Sequence, residues 1–491
     1  MIAALVLSLA LFVAEDLGAL DKKLKSSDDR ERASAVTELA KIGSKEAWTR
    51  VIDALKDPAS NVGDEAEIQL AKLNVPELVD DLLGKRGLMS GDERVQLRAA
   101  GVLGSLESGT LPAVKLTAAL AAKSIEVRRT LRASIERIVG SGRIAAPDRL
   151  IAALESWTKS TEDAEVRAAG LSALVRLPEQ MPENPVDLAK NGDPPPVTCA
   201  VLRLLVGASD PKARAFVAQC SQSPERSVRS QVVETITANP DSEGLKLLVA
   251  MFEKEKNRRV SWAIDGALEQ LSGLSGGGKA DFWRAWIDNL GPEWKPSTGT
   301  SKPTAARAGE TTAPKIAGFP IVGSAIAILV DFSGSTWEKR ADGKTRKEKL
   351  DVELTKALEA LPPDTLFNVI PFTSEPIPFE KALVPATTAN VQRALKFFTG
   401  NKTSGKGNVW SAIELALEDE RIDTLLVLSD GAPTGGLRWN IDLMREHYVS
   451  RDRFRHVALD VILVDSSKRL QDKWRVWAEA TGGRMLAISM Q

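Results

Sequence analysis

The 491 residues carry 65 Lys plus Arg against 66 Asp plus Glu, a formal net charge of −1, and are long enough for two or three domains. Neither half is polarised: 38 basic and 41 acidic residues lie up to Leu290 and 27 and 25 follow it, which argues against a nucleic-acid partner held through its phosphates. Hydrophobic residues at 43% and charged residues at 27% are globular proportions, and the scarcity of Cys (Cys199, Cys220) and His (His447, His456) excludes a disulfide-dense scaffold or a zinc site built from several such ligands.

Residues 1–14 form a nearly unbroken apolar run (Ile2, Leu5, Val6, Leu7, Leu9, Leu11, Phe12, Val13) that ends at Glu15 and Asp16. A bilayer-spanning helix needs about 20 such residues, so a membrane-spanning chain is not expected. The run suits the apolar region of a signal peptide, which places the protein in the periplasm or outside the cell. Its only positive charge is the terminal amine, and cleavage after Ala14 would leave bulky Phe12 at the third position back. The competing reading is a buried first helix and a cytoplasmic protein.

From about residue 20 one helix pattern recurs, an apolar-basic-small-small start followed by apolar residues at helical spacing. Val166-Arg167-Ala168-Ala169-Gly170-Leu171 and Leu97-Arg98-Ala99-Ala100-Gly101-Val102 are its clearest copies. Weaker ones begin at Glu31, Val62, Val127, Val197, Val228 and Val260, at intervals of 31, 35, 30, 39, 31, 31 and 32 residues. A second apolar-periodic stretch and a turn such as Asp57-Pro58 or Asp210-Pro211 are expected within each interval, making a helix hairpin repeated eight times.

This pattern resembles the HEAT-repeat family over residues 20–272, with a helical bundle as the competing fold. The resemblance implies an all-α solenoid whose hairpins bury their apolar stripes only by stacking, and whose concave face binds proteins. Cys199 and Cys220 lie symmetrically about the Asp210-Pro211 turn. Packed helix axes lie about 8–10 Å apart, which favours two buried thiols over a disulfide. Trp262, Trp283, Trp286 and Trp294 are expected to cap the last repeat, giving a repeat domain over 20–290. Residues 291–314 shift to Pro, Gly, Ser, Thr and Ala and read as a flexible linker.

Beyond the linker, short apolar runs (325–330, 367–372, 425–428, 459–464, 484–488) alternate with amphipathic stretches, the signature of buried parallel strands in a Rossmann-like, doubly wound α/β sheet. Ligands of such sheets sit at the carboxyl ends of the strands, where Asp331 and Asp430 fall.

Asp331-Phe332-Ser333-Gly334-Ser335 resembles the Asp-x-Ser-x-Ser motif of von Willebrand factor type A (VWA) domains, and Ser429-Asp430-Gly431 with Pro433-Thr434 resembles their second metal loop. The resemblance covers a domain over 319–491 and implies a metal-ion-dependent adhesion site. Mg²⁺, or Mn²⁺ or Ca²⁺, would be held by Asp331, Ser333, Ser335 and Asp430 and completed by a partner's carboxylate. The family's ligating Thr is replaced by Gly407 in Ser404-Gly405-Lys406-Gly407-Asn408. Two readings stay open: a weakened site with Thr403 or Ser404 recruited from the loop, or a metal-free site whose facing carboxylates are neutralised by Lys406.

Neither a dinucleotide-binding turn nor a Gly-Lys-Ser/Thr phosphate loop follows the first strand, and no nucleophile signature flanks His447 or His456, which are read as surface or structural. The expected function is therefore non-enzymatic protein interaction. The alternative is an accessory subunit docking on a separate ATPase or chelatase. Each loop near the expected site carries a tryptophan (Trp337, Trp410, Trp439), and residues 337–349 hold six basic side chains: Lys339, Arg340, Lys344, Arg346, Lys347 and Lys349. Trp337 and Trp439, with Lys406, are expected to form a basic aromatic rim for an acidic protein segment, and Trp410 to pack inward.

Overall fold

The computed structural model describes residues 17–73, 75–107, 109–119, 124–145, 147–159, 163–177, 179–291, 294–297, 306–339 and 342–489. The suspected leader at 1–14, residues 292–293 and 298–305 of the expected linker, and Arg340 lie outside the described residues.

All eight recurrence markers fall near the starts of eight helices, seven at the third residue and Leu97 at the fifth: Asp29–Ile42, Ser60–Leu73, Glu93–Ser105, Ile125–Gly140, Ala164–Leu174, Pro195–Leu204, Arg226–Ala238 and Arg258–Ser272. Local chemistry starts them. Asp28, Asp92, Ser124, Asp163 and Asn257 each accept a first-turn backbone N–H, which satisfies donors that helix geometry leaves free. Second helices follow at Lys45–Asp53, Leu78–Leu83, Ala113–Ala119, Pro147–Thr158, Pro211–Cys220, Ser242–Lys254 and Ala280–Asp288. The interval after Val166 departs from the expected hairpin: between Leu174 and Pro195 the described residues hold only the 3₁₀ turn Pro185–Leu188. Pro182, Pro185 and Pro194–Pro196 leave no uninterrupted helical stretch there.

The chain forms two compact units, Met1–Pro182 with Leu437–Arg451, and Glu183–Gly436 with Asp452–Gln491. This division differs from the expected boundary near residue 300. The Pro-rich segment interrupts the repeats, and a short stretch of the expected second domain belongs to the first unit.

In the first unit, alanines Ala99 and Ala100 are fully buried among Leu39, Leu70, Leu103 and Leu131, where small side chains let successive first helices pack closely. Here too lies a buried ionic cluster. Asp64 and Glu67 on Ser60–Leu73 meet Arg98 and Arg438, all essentially inaccessible. Arg438 is hydrogen-bonded to Glu67, and the N–H groups of Trp439 and Asn440 donate to Asp64 Oδ2 at 2.6 and 2.9 Å. Arg98 donates to the carbonyls of Leu55 and Leu437 at 2.6 and 2.9 Å. His447 Nε2 lies 3.2 Å from Glu67 Oε1, so this histidine has a structural setting. Burial would raise the Glu67 pKa, but Arg438 and His447 bring it down to about 2.

The second unit contains the six-stranded sheet: β1 (Ala325–Asp331), β2 (Leu366–Phe372), β3 (Val384–Pro385), β4 (Thr424–Ser429), β5 (Ala458–Val464) and β6 (Met485–Ile488). Its order is β6-β5-β4-β1-β2-β3, parallel except for the edge strand β3, which is the order of a doubly wound sheet. β1, β4 and β5 are buried along their whole lengths, as their unbroken apolar runs require.

The repeats of this unit are bonded directly to the sheet. Arg259 pairs with buried Asp460 at 3.1 Å, Arg258 donates to the Gly323 carbonyl at 2.8 Å, and Asn257 Nδ2 donates to Asp423 at 2.9 Å. Residues 307–310 of the expected linker are fixed as well. Arg307 pairs with Glu269 at 2.6 Å, and Trp262 Nε1 donates to Glu310 at 2.9 Å. The guanidinium groups of Arg259, Arg307 and Arg484 lie 4.6–5.0 Å from the Trp262 ring centroid. Phe282, Trp283, Trp286 and Trp294 form an edge-to-face ladder at the last helix of the repeats. Cys199 and Cys220 are buried free thiols.

Candidate functional site

A doubly wound sheet reverses direction between its first and fourth strands, and the crevice outside that switch point is where such folds bind ligands. Here the switch lies between β1 and β4. Asp331 ends β1, and Asp430 directly follows β4. The two carboxylates are brought together, and the charge of Asp430 adds to burial, the larger effect, in raising the Asp331 pKa.

Asp331 is held at both oxygens. Ser333 N–H donates to Oδ1 at 2.8 Å and Ser429 Oγ donates to Oδ2 at 2.7 Å. The chain then turns through the short helix Gly334–Trp337, fixed by Thr336 Oγ1 donating to the Ser333 carbonyl at 2.7 Å. This turn places Ser333 Oγ and Ser335 Oγ 3.2 Å apart. Adjacent ligands of an octahedral cation held at about 2.1 Å lie about 3 Å apart, so the two hydroxyls fit neighbouring positions on one Mg²⁺- or Mn²⁺-like ion. With two carboxylates they make a hard-oxygen donor set. Among the described residues there is no cluster of three or more His, Cys, Asp or Glu arranged for a metal, so any site here depends on the hydroxyls.

The third loop approaches through a bridge between Ser333 and Gly405. Gly407 faces the carboxylate: a Cβ there would lie 3.7 Å from both Asp331 oxygens. Of the two expected substitutes, Thr403 is engaged within its own loop. Thr403 Oγ1 is hydrogen-bonded to Asn401 Oδ1 at 2.6 Å, and both Thr403 and Ser404 are exposed.

The neutralising cation is Arg346, correcting the reading that gave this role to Lys406. The buried Arg346 guanidinium donates to Asp430 Oδ2 at 3.0 Å, to Asp465 Oδ2 at 3.2 Å and to the Ser335 carbonyl at 3.1 Å. Lys406 is exposed, and its stem runs over Gly435. Arg346 comes second in Thr345-Arg346-Lys347-Glu348, a capping box that begins the helix Arg346–Glu359 and turns the guanidinium back toward the strand ends.

The place of Trp337 in the expected basic aromatic rim is also corrected. Trp337 is half-buried, edge-on to Phe332 at 5.8 Å, and packs against the core under the sheet. Lys347 is 2% exposed, with its ammonium 2.5 Å from Asp351 and within 4.5–5.8 Å of the Phe332, Trp337 and Phe398 ring centroids. Lys349 pairs with Asp342 at 2.9 Å. Apolar neighbours three and four residues along the helix draw this face inward despite its charges. Trp410 is buried, as expected, and Trp439, in the other compact unit, is 41% exposed.

No protein-family model matches the chain. Inter-alpha-trypsin inhibitor heavy chain H4 of Bos taurus is 30% identical over 123 residues, which are 23% of this chain and 13% of that protein. Inter alpha-trypsin inhibitor heavy chain 4 of Mus musculus is 28% identical over 129 residues, 24% of this chain and 13% of its own. Heavy chain H3 of Bos taurus is 31% identical over 96 residues, 20% and 10% of the two chains. The chain thus spans 10–13% of the length of these relatives, which contain VWA domains. A solved archaeal HEAT-like repeats protein from Thermococcus onnurineus NA1 aligns with 55% of this chain and 97% of its own, at 10% identity and a TM-score of 0.23. The repeat architecture therefore rests on the helices and their spacing. Among the described residues, no helix is long and apolar enough to cross a membrane.

Proposed function

We infer that the chain is a non-enzymatic protein-interaction protein whose α/β domain is of the VWA type. It would hold Mg²⁺, or Mn²⁺ or Ca²⁺, at Asp331, Ser333, Ser335 and Asp430. The 3.2 Å spacing of the two serine hydroxyls beside Asp331, at the switch point of the sheet, carries this reading. The local similarity to the heavy chains supports it.

A bound cation supplies an open coordination position for a carboxylate of the partner. The chain's own residues prepare that position. Ser429 and the Ser333 N–H fix the rotamer of Asp331, Thr336 locks the turn that aligns the hydroxyls, and Arg346 offsets the charge of Asp430. The partner is thus expected to present an acidic segment.

Thermal melting of the full chain with millimolar Mg²⁺ or Mn²⁺, against chelator, tests the metal. A ligand at 100 times its dissociation constant adds about 2.7 kcal/mol, so melting should rise with metal and the rise should vanish in Asp331→Ala. Melting that ignores metal at every concentration would remove the metal site. Co-purification from the native source with and without chelator then tests whether partner capture is metal-dependent.

A further inference from the structure

The geometry points to Thr434 as the residue that supplies the hydroxyl missing at Gly407, completing a divalent-cation site from the opposite loop. The inference rests on the metal reading above and adds a ligand that the resemblance does not assign.

The space that a side chain at position 407 would fill is bounded on two sides. A Cβ built on Gly407 would stand 3.7 Å from Asp331 Oδ1 and Oδ2 and 3.4 Å from Thr434 Oγ1. Thr434 therefore presents its hydroxyl at the edge of the volume that a threonine at 407 would use. That hydroxyl is fixed: Gly407 N–H donates to Thr434 Oγ1 at 2.7 Å, while Thr434 N–H donates to the Gly407 carbonyl at 3.1 Å. A hydroxyl oxygen has two acceptor lone pairs, and the Gly407 N–H uses one. The second remains for a cation.

The loop carrying Thr434 is seated rather than merely adjacent. Gly436 has φ +87°, and a Cβ there would fall 1.9 Å from Asn408 Oδ1, so only glycine permits this approach. Asn408 is anchored in turn, its N–H donating to the Thr373 carbonyl at 2.8 Å and its Nδ2 to the Ser374 carbonyl at 2.9 Å. Thr434 also follows Asp430 by four residues on the same loop, so one segment brings both a carboxylate and a hydroxyl to the switch point. Thr403, tied to Asn401, does not compete for the place.

Calorimetric titration of MnCl₂ into the full chain, read beside its metal-free melting temperature, tests the assignment. Thr434→Val should weaken Mn²⁺ binding by at least about tenfold, Thr434→Ser should retain it within about threefold, and Gly407→Thr in the Thr434→Val background should restore it. Loss without rescue, or Thr434→Val binding as the wild type while Ser333→Ala does not, would overturn the role of Thr434 and leave the metal reading standing. A wild-type chain that takes up no Mn²⁺ would overturn both.

Discussion

Arg346 lies 3.0 Å from Asp430, so one of the two carboxylates at the switch point is already held by a cation of the chain itself. The pairing answers the like-charge problem that Asp331 and Asp430 create together, and it does so without Lys406. It also sets a competition. A metal ion drawn to Asp430 must share that carboxylate with a guanidinium that is bonded to Asp465 and to the Ser335 carbonyl as well.

Replacing Arg346 should therefore have opposite effects with and without metal. Arg346→Gln removes a buried charge from three acceptors, and breaking such a pair costs about 3–5 kcal/mol in the metal-free protein. Added Mg²⁺ should recover more stability in this variant than in the wild type, because the freed carboxylate then attracts the ion. Melting curves in chelator and in millimolar Mg²⁺ read both effects. Equal metal-induced shifts in the two proteins would show that Arg346 and the cation do not compete.

Trp337 and Trp439, read together from the sequence as one rim, should separate on mutation. Trp337→Ala opens space beside Phe332 and strips the aromatic wall from buried Lys347, so a loss of about 2–3 kcal/mol is expected. Trp439→Ala, from a ring 41% exposed, should cost less than about 1 kcal/mol. Urea denaturation of both variants checks the contrast, and equal losses would refute it.

The eight helix starts were legible because each marker follows a capping residue or a proline and opens an apolar stripe, information that lies within a few residues. Asp331 and Asp430 were legible for a similar reason, since each ends an apolar run long enough to be a buried strand. Arg346 was not. Its partners lie 84 and 119 residues away, and a charged run at a helix start reads equally well as a solvated face. Lys347 misled in the same way, its burial being set by Phe398 across the domain. Thr434 lies in the loop that begins at Ser429, but only the placement of Gly407 opposite gives it a role. The missing second helix after Leu174 had a local signal in its prolines, which the regular interval overrode.

Arg438 gives the first unit a point where one substitution should tell. Both Asp64 and Glu67 depend on it for charge, and its backbone neighbours complete Asp64. Arg438→Ala should destabilise the first unit by about 3–5 kcal/mol, since it leaves buried Asp64 facing Arg98 at 3.5 Å and buried Glu67 facing His447 at 3.2 Å. Combining it with Glu67→Gln should recover part of that loss. A double-mutant cycle by thermal melting measures the coupling, and strict additivity would mean that the pair contributes nothing as a pair.

The last expectation concerns alkaline pH and His456, which adopts φ +56° with its two ring nitrogens 3.2 Å from Glu234 Oε1 and Gln231 Oε1. Burial pushes its pKa down, but the Glu234 carboxylate and the Cys199 thiol beside it outweigh burial and hold it at about 10. A folded-state pKa above the ordinary 6.5 means that the native chain keeps a proton the unfolded chain releases. Its contribution to stability is complete below about pH 6.5 and disappears as pH rises through about 10. Buried Asp452 acts in the same direction at lower pH. Burial raises its pKa to about 7, against the opposing pull of His456, the Val457 N–H, Arg455 and Arg226, so its effect fades between about pH 4 and 7. Stability should therefore decline steadily from pH 7 to 10, with a slope no steeper than about 1.4 kcal/mol per pH unit for the one proton of His456. Glu234→Gln removes the charge that raises His456 and should flatten the decline across this window while lowering stability at pH 7. Melting temperatures at half-unit steps supply the measurement. A slope unchanged in Glu234→Gln would assign the alkaline loss to other groups.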